Sequence, residues 1–360
     1  MTGPELVTGK QSLYERDSEI SKPQLKHVDL ELTRECNLNC VHCSSGVDTK
    51  GDELSVFETK ELLAEAKTLG LETVGLTGGE PLLRMEKLKE VVNFCRKELD
   101  VVIHLHSNGT RISREEADWL KRSEVYVTIS LFGSEPRTHD AITNVEGSLG
   151  STLSGLRNLV NAKAKLAAFV VPMRANVGEM SSIMDLIRRE GVEDVRVLLP
   201  SPTGRAFHRF PEIELTNEQI TDLRKELVQI RIRGIHVQGG FCTRLDLPDL
   251  EVLKGHERCY AAENRVHIDA FGNVYPCTAS SGRRVFSAGN VLTCTLTEIW
   301  RFSSSFQFLR RFHSNAVTKC RRCSRFASCM SGCRVRMSYK YGDATIADPL
   351  CGGPFLPTSS

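Results

Sequence analysis

Short runs of alternating apolar and β-branched residues recur between about residue 27 and residue 200, each followed by a stretch with apolar positions every three or four residues. HVDLELT (27–33), ETVGLT (72–77), VVIHLHS (101–107), VYVTISL (125–131), LAAFVV (166–171) and DVRVLL (194–199) predict six strands. Between them, Ser55 with Glu58 and Ser113 with Glu116 spell capping boxes, and Gly70 stands where a helix should end. Strand–helix alternation builds a parallel sheet, and six such units fit an open, partial (β/α)6 barrel of the α/β class. A further helix over about 216–231 opens with Thr216 and Gln219 and carries Ile220, Leu223, Leu227 and Ile230 on one face, as a bridge to a second unit.

After Gly239-Gly240 the pattern changes. VHIDAFGNVYPC (266–277) alternates around a Gly-Asn turn like a hairpin, and eight of the thirteen cysteines lie between 259 and 351. The expected organisation is an N-terminal extension (1–26), a barrel (27–239), a small cysteine-rich domain with a hairpin and short helices (240–351), and a tail (352–360). The first ~20 residues and the last few read as disordered.

At 360 residues the chain can bury a sizeable core, and 47 basic against 45 acidic side chains argue against disorder and against a polyelectrolyte partner. No apolar segment has the length of a membrane span or the form of a signal peptide, so the chain reads as cytoplasmic. In that compartment thirteen cysteines point to metal or redox chemistry rather than to disulfides.

Cys36, Cys40 and Cys43 stand in ELTRECNLNCVHCSSG directly after the first predicted strand, where a loop at the mouth of a barrel would place them. Three thiolates are one short of closing a tetrahedral zinc site, whereas a four-iron cluster held by three keeps one iron open. His42 could supply a zinc ligand, but it is wedged between two cysteines. Gly78-Gly79-Glu80-Pro81 follows the second strand; the glycines permit close backbone approach, and the carboxylate and carbonyls can accept hydrogen bonds from an ammonium.

The cysteine spacing, followed one βα unit later by this tetrapeptide, resembles the radical S-adenosylmethionine (SAM) superfamily. The resemblance implies that SAM chelates the open iron and that one electron from the cluster breaks its C–S bond to give a 5′-deoxyadenosyl radical. It also implies that His42 packs near the adenine and that Gly78, Gly79, Glu80 and Pro81 meet the SAM amino group. Ser107, Asn108 and Gly109 at the end of strand three, and Ser130 near the end of strand four, sit where the family contacts ribose and carboxylate; each could equally cap or turn the chain. Arg205 in LLPSPTGRAF could hold a carboxylate through its fork, or be solvated.

The series Cys259, Gly272, Cys277, Cys320, Cys323, Cys329, Cys333 and Cys351 resembles the SPASM domain, which in family members binds two auxiliary four-iron clusters. Carried over residue by residue, one auxiliary cluster takes Cys320, Cys323, Cys329 and Cys351, and the other takes Cys259, Cys277 and Cys333. The fourth ligand of the latter is assigned to Cys242; without it that cluster would have an open iron. Three [4Fe-4S] clusters and SAM are thus the expected cofactors.

Cys95 falls on the apolar stripe Leu88, Val91, Val92, Cys95, Leu99 and reads as core, whereas Cys294 is either a surface residue or a hydrogen-atom donor to a substrate radical. Lys319, Arg321, Arg322, Arg325, Arg334, Arg336 and Lys340 read better as cations offsetting a cluster than as a nucleic-acid patch. The segment 130–156 is similar to the corresponding region of SPASM enzymes that modify ribosomally made peptides. The expected activity is therefore oxidative modification or crosslinking of a peptide, with a separate recognition protein or direct barrel contact, and a flavodoxin- or ferredoxin-type electron donor. A radical dehydrogenase, decarboxylase or epimerase of a small molecule is the alternative within the class, and a non-catalytic electron carrier or zinc scaffold the alternative outside it.

Overall fold

The computed structural model describes residues 23–45, 51–232, 235–239 and 259–348, apart from 313–315, 318–319, 322, 324–325 and 327–329. All six expected strands are present: β1 (His27–Glu31), β2 (Thr73–Thr77), β3 (Val102–Ser107), β4 (Tyr126–Ser130), β5 (Lys165–Val170) and β6 (Asp194–Val197). They pair in parallel in chain order. Helices α1 (Val56–Thr68), α2 (Met85–Phe94), α3 (Arg114–Arg122), α4 (Pro136–Thr143), α5 (Ser148–Asn161), α6 (Met180–Arg189), α7 (Ala206–Ile213) and α8 (Asn217–Ile232) supply the crossovers.

The helix starts obey local chemistry. Ser55 and Ser113 each accept a hydrogen bond from the N–H three residues on, while Glu58 and Glu116 return the favour to the cap backbone. Thr216 and Gln219 make the same reciprocal pair ahead of α8, whose Ile220, Leu223, Leu227 and Ile230 are all buried. Gly70 follows α1 with φ +109°, a conformation a side chain would strain. Leu88, Val91, Val92, Cys95 and Leu99 all lie in the core, so Cys95 is a packing residue; burying each large apolar side chain is worth roughly 1.5–3 kcal/mol.

Beyond six units the sheet continues. β7 (His236–Gly239) pairs in parallel with β6, a strand the sequence pattern did not suggest. The expected hairpin forms as β8 (Arg265–Ile268) and β9 (Asn273–Tyr275), with Gly272 at φ +82° in its turn. It joins the same sheet, for β8 runs parallel to β1 in the register His27 to Arg265. With β10 (Gly289–Asn290) the order is β10-β9-β8-β1-β2-β3-β4-β5-β6-β7, an open sheet. Among the described residues three short helices follow: α9 (Leu296–Phe302), α10 (Ser304–Arg310) and α11 (Arg334–Tyr341).

The two faces of this sheet differ. Val28, Leu30, Val74, Leu76, Ile103, Leu105, Val127, Ile129, Val170 and Val195 point into the helix-covered core. On the opposite face the register lines up Asp29, Gly75, His104 and Tyr126, with His27, Glu31, His106, Thr128 and Arg196 beside them. Buried His104 Nδ1, Thr128 Oγ1 and Arg196 Nε have no hydrogen-bond partner there among the described residues. A parallel sheet ordinarily buries both faces in aliphatic side chains, so a polar inner face marks a place kept for water or a ligand.

Candidate metal centre and cofactor site

Residues 32–45 leave β1 as a loop pinned at both flanks. Leu32 N donates to Thr77 O, and Asn39 N and Val41 N donate to Thr143 O and Ile142 O at the end of α4. This frame brings Cys36, Cys40 and Cys43 into one another's electrostatic field. Burial foremost, and the neighbouring thiols next, push Cys40 up to about 12; burial likewise raises Cys36, with Arg205 pulling both the other way. Three crowded thiols that resist ionisation alone are suited to thiolates shared with a cation. Leu38 N donates to Cys36 Sγ at 3.4 Å, and Asn108 Nδ2 lies 4.0 Å from the same sulfur. Donors aimed at sulfur are what a cluster's surroundings provide, so the donor set fits an iron–sulfur core. Among the described residues no three Cys, His, Asp or Glu side chains are set around a point as a single ion requires, and a four-iron core is the larger body.

Gly78 and Gly79 meet this loop backbone to backbone. Gly79 N donates to Thr33 O at 2.7 Å and Glu80 N to Glu35 O at 2.8 Å. A Cβ on Gly79 would fall 2.0 Å from Glu35 O, and one on Gly78, at φ +137°, would fall 2.3 Å from Thr33 O. The close approach these glycines permit is thus first of all to the cysteine loop. Fully buried Glu80 accepts from Leu82 N (3.1 Å), Ser107 Oγ (2.9 Å) and Asn108 N (2.8 Å), which ties the ends of β2 and β3 together. Burial raises its pKa to about 7 against those three bonds. Pro81 opens the 3-10 turn Pro81–Arg84 that Glu80 caps.

Asn108 also donates to Asn37 Oδ1 at 3.0 Å, so the Ser107–Gly109 turn touches the cysteine loop directly. His42 lies edge-on to Phe132, ring centroids 4.4 Å apart, and burial, with Arg205 and His139, lowers its pKa to about 4. A neutral imidazole results. Arg205 donates through Nε to Cys40 O and through its backbone N to Cys43 O, both at 3.0 Å, and so holds the loop's backbone. Ser130 ends β4 opposite Phe169 of β5. The structure therefore gathers Cys36, Cys40, Cys43, His42, Gly78, Gly79, Glu80, Ser107, Asn108 and Arg205 at the strand ends.

In the second group, Cys277 lies within the fields of Cys259 and Cys333, and burial foremost, followed by these two thiols, pushes it up to about 12. Cys323 N donates to Cys320 O at 3.1 Å in a tight turn. Cys242, Cys329 and Cys351 lie outside the described residues. Cys294 is exposed in the turn before α9, whose first N–H groups are accepted by Glu65 on the outer helix α1; it is not brought to the first trio. Arg334 is buried and donates to the carbonyls of Gly332, Ala344 and Ile346.

Sequence reasoning passed over a buried ionic group beside the first trio. Glu31 Oε2 and Arg34 Nε stand 2.7 Å apart, off the line of a hydrogen bond, and His267 Nε2 is 3.3 Å from Glu31 Oε1. Burial alone would raise the Glu31 carboxyl, but His267, Arg34 and Ser45 outweigh it and hold it below the usual glutamate value. The available signal was polar residues alternating through an otherwise apolar strand in HVDLELTR.

A three-cysteine loop at the mouth of a parallel α/β sheet, with a second cysteine-rich region later in the chain, defines a class, and the chain belongs to the radical SAM superfamily. Residues 30–187 match that superfamily and residues 259–324 match the SPASM iron–sulfur cluster-binding domain. It is an enzyme that carries iron–sulfur clusters and binds SAM. It is similar to mycofactocin maturase MftC of Mycobacterium ulcerans (strain Agy99), 32% identical over 339 residues covering 91% of this chain and 88% of that one. It is also similar to the AdoMet-dependent heme synthase of Nitratidesulfovibrio vulgaris, 28% identical over 358 residues covering 93% and 94%. The crystal structure of Streptococcus suis SuiB bound to precursor peptide SuiA shares the fold, with a TM-score of 0.75 at 17% identity over 92% of this chain and 76% of that chain. No described helix is long and apolar enough to cross a membrane.

Proposed function

We propose that this chain modifies a ribosomally made peptide by abstracting a hydrogen atom from one of its residues. The observation that carries the reading is the three-thiol loop locked against Gly79, Glu80 and Asn108, in a chain that aligns over most of its length with a maturase. When bound, the cluster and SAM supply the 5′-deoxyadenosyl radical. Cys36, Cys40 and Cys43 hold that cluster, the backbone around Gly78–Pro81 receives the SAM amino group, and Ser107, Asn108 and Ser130 line the ribose and carboxylate. Neutral His42 packs against the adenine. Arg205 keeps the loop in shape.

Three clusters follow from the cysteine series: Cys242, Cys259, Cys277 and Cys333 hold one auxiliary cluster, and Cys320, Cys323, Cys329 and Cys351 the other. An auxiliary cluster held by these cysteines would supply a one-electron acceptor for an oxidative outcome. A flavodoxin- or ferredoxin-type protein supplies the reducing electron, and the peptide is recognised by a separate protein or by direct contact with the barrel. The division at residue 240 assigns the radical chemistry to 27–239 and the auxiliary clusters to 240–351.

A second reading, chemistry on a small molecule, is favoured by the similarity to a heme synthase across nearly the whole chain. Incubating the reduced enzyme with SAM and the small peptides encoded near its gene, then weighing the products, separates the two. A loss of two mass units from a peptide supports oxidation. Unaltered peptides alongside an altered metabolite would defeat the peptide reading.

A further inference from the structure

We infer that Arg34 is a positioning residue through which the β8–β9 hairpin sets the geometry of the three-cysteine loop. The inference rests on the reading of Cys36, Cys40 and Cys43 as ligands of a SAM-binding cluster. Arg34 stands two residues before Cys36. Its Nε lies 2.7 Å from Glu31 Oε2, its Nη2 donates to Asp269 Oδ2 at 3.3 Å, and its Nη1 donates to the carbonyl of Ser45. These partners are the last residue of β1, the hairpin turn, and the chain just beyond Cys43. One guanidinium therefore joins both flanks of the loop to an element from the far end of the chain. The Arg34 side chain is 10% exposed, and those of Glu31 and Asp269 are 0% and 1% exposed, so water cannot replace the contacts cheaply. Only a planar fork can serve three directions at once, which a lysine ammonium at the end of a flexible stem would not reproduce.

The other side of the same segment carries the glycine loop. Thr33 O and Glu35 O accept from Gly79 N and Glu80 N, and Thr33 Oγ1 and Arg34 N both donate to Glu53 Oε1, at 2.9 and 2.7 Å. Residues 33–35 are thus clamped between the Gly78–Pro81 loop and the hairpin. A displaced hairpin shifts Cys36 against the backbone that receives SAM. Because the strand after the turn leads to Cys277, order in the second cysteine group is transmitted to the first by the same contact.

Asp269→Asn tests this with little collateral damage. Oδ1 of Asp269 shapes the turn by accepting from Phe271 N (3.0 Å) and Asn273 N (2.9 Å), and asparagine keeps that oxygen. Its new amide group replaces the oxygen that Arg34 and the Asn273 side chain contact, which severs the link. Reconstituted full-length wild type, Asp269→Asn and Arg34→Lys are compared for iron content, SAM affinity by equilibrium binding, and EPR of the reduced protein with and without SAM. The expected result is unchanged iron, SAM binding weakened by about tenfold, and an altered EPR line shape in the SAM-bound state. Wild-type affinity and line shape in both variants at full iron load would overturn the inference. If Asp269→Asn loses iron, Arg34→Lys decides, since it leaves the hairpin turn intact: wild-type behaviour there overturns the inference, and weakened SAM binding sustains it. A wild-type protein that binds no SAM would instead sink the cluster assignment on which the inference stands.

Discussion

Glu80→Gln separates the cost of burying a charge from the value of the bonds made to it. Burial raises the carboxyl from the ordinary 4.5 to about 7, even with Asn108 N, Leu82 N and the Ser107 hydroxyl donating to it. A group with a raised folded pKa gives stability that is fully present below its unfolded pKa and lost as pH climbs through the folded one. Below pH 4.5 both states are protonated. Between 4.5 and 7 the unfolded chain releases a proton that the folded chain keeps, and above 7 folding carries the whole penalty, about 3 kcal/mol. Glutamine removes that penalty and keeps an oxygen for Leu82 N and Ser107, but turns an amide toward Asn108 N, which the carboxylate accepts at 2.8 Å. Leaving that buried N–H unmet costs about 1–3 kcal/mol at any pH. Unfolding entropy for a chain this long is about 0.75 kcal/mol/K, so at pH 5, where about 0.7 kcal/mol of the burial penalty is already present, the variant should melt level with wild type or up to about 3 °C below it. At pH 8 it should melt level with wild type or up to about 3 °C above it. Scanning fluorimetry of iron-free protein from pH 5 to 8.5 reads the difference. A gap of constant size across that range would refute the burial argument.

Anaerobically reconstituted protein should hold about twelve irons per chain, and replacing Cys36, Cys40 and Cys43 with Ala should leave about eight and abolish reductive SAM cleavage. Iron analysis giving about four in the wild type would remove the auxiliary pair. Gly79→Ala should cost about 3 kcal/mol or more, because its Cβ would meet the Glu35 carbonyl at 2.0 Å and displace two backbone hydrogen bonds. Gly150→Ala, inside α5 with nothing within 4 Å of the new Cβ, should instead stabilise by about 0.5–1 kcal/mol. Melting curves of the two glycine variants moving in the same direction would contradict the packing described here.

Local signals carried much of this architecture. The six strand runs, the capping boxes at Ser55 and Ser113, and the Gly-Asn hairpin are written in neighbouring residues, and each forms where its chemistry predicts. β7 escaped because HVQG is short and ends in glycine, with little propensity of its own; pairing with β6 makes it a strand. The parallel docking of β8 on β1 left no local trace, since register between distant strands is a tertiary property. At the site, cysteine spacing revealed the thiols, and the structure groups the trio in the first loop and sets Cys259 and Cys333 beside Cys277. What Gly79 and Arg205 touch was not legible: both hold the cysteine loop's own backbone, a close approach that only three-dimensional packing creates.

Because β1 sits between β2 and β8, an interior strand of the sheet is made before every other strand and waits longest for one of its two neighbours. Arg265 follows His27 by more than two hundred residues, a delay on the order of ten to fifty seconds during synthesis. Throughout that interval β1 offers an unpaired edge beside aliphatic Val28 and Leu30, the kind of surface that recruits other chains. Non-local parallel pairing is also slow to form once its partner is available. Slow translation, low temperature or a chaperone holdase should therefore govern soluble yield more than any change at the surface, and truncation ahead of β8 should produce aggregates rather than a smaller enzyme.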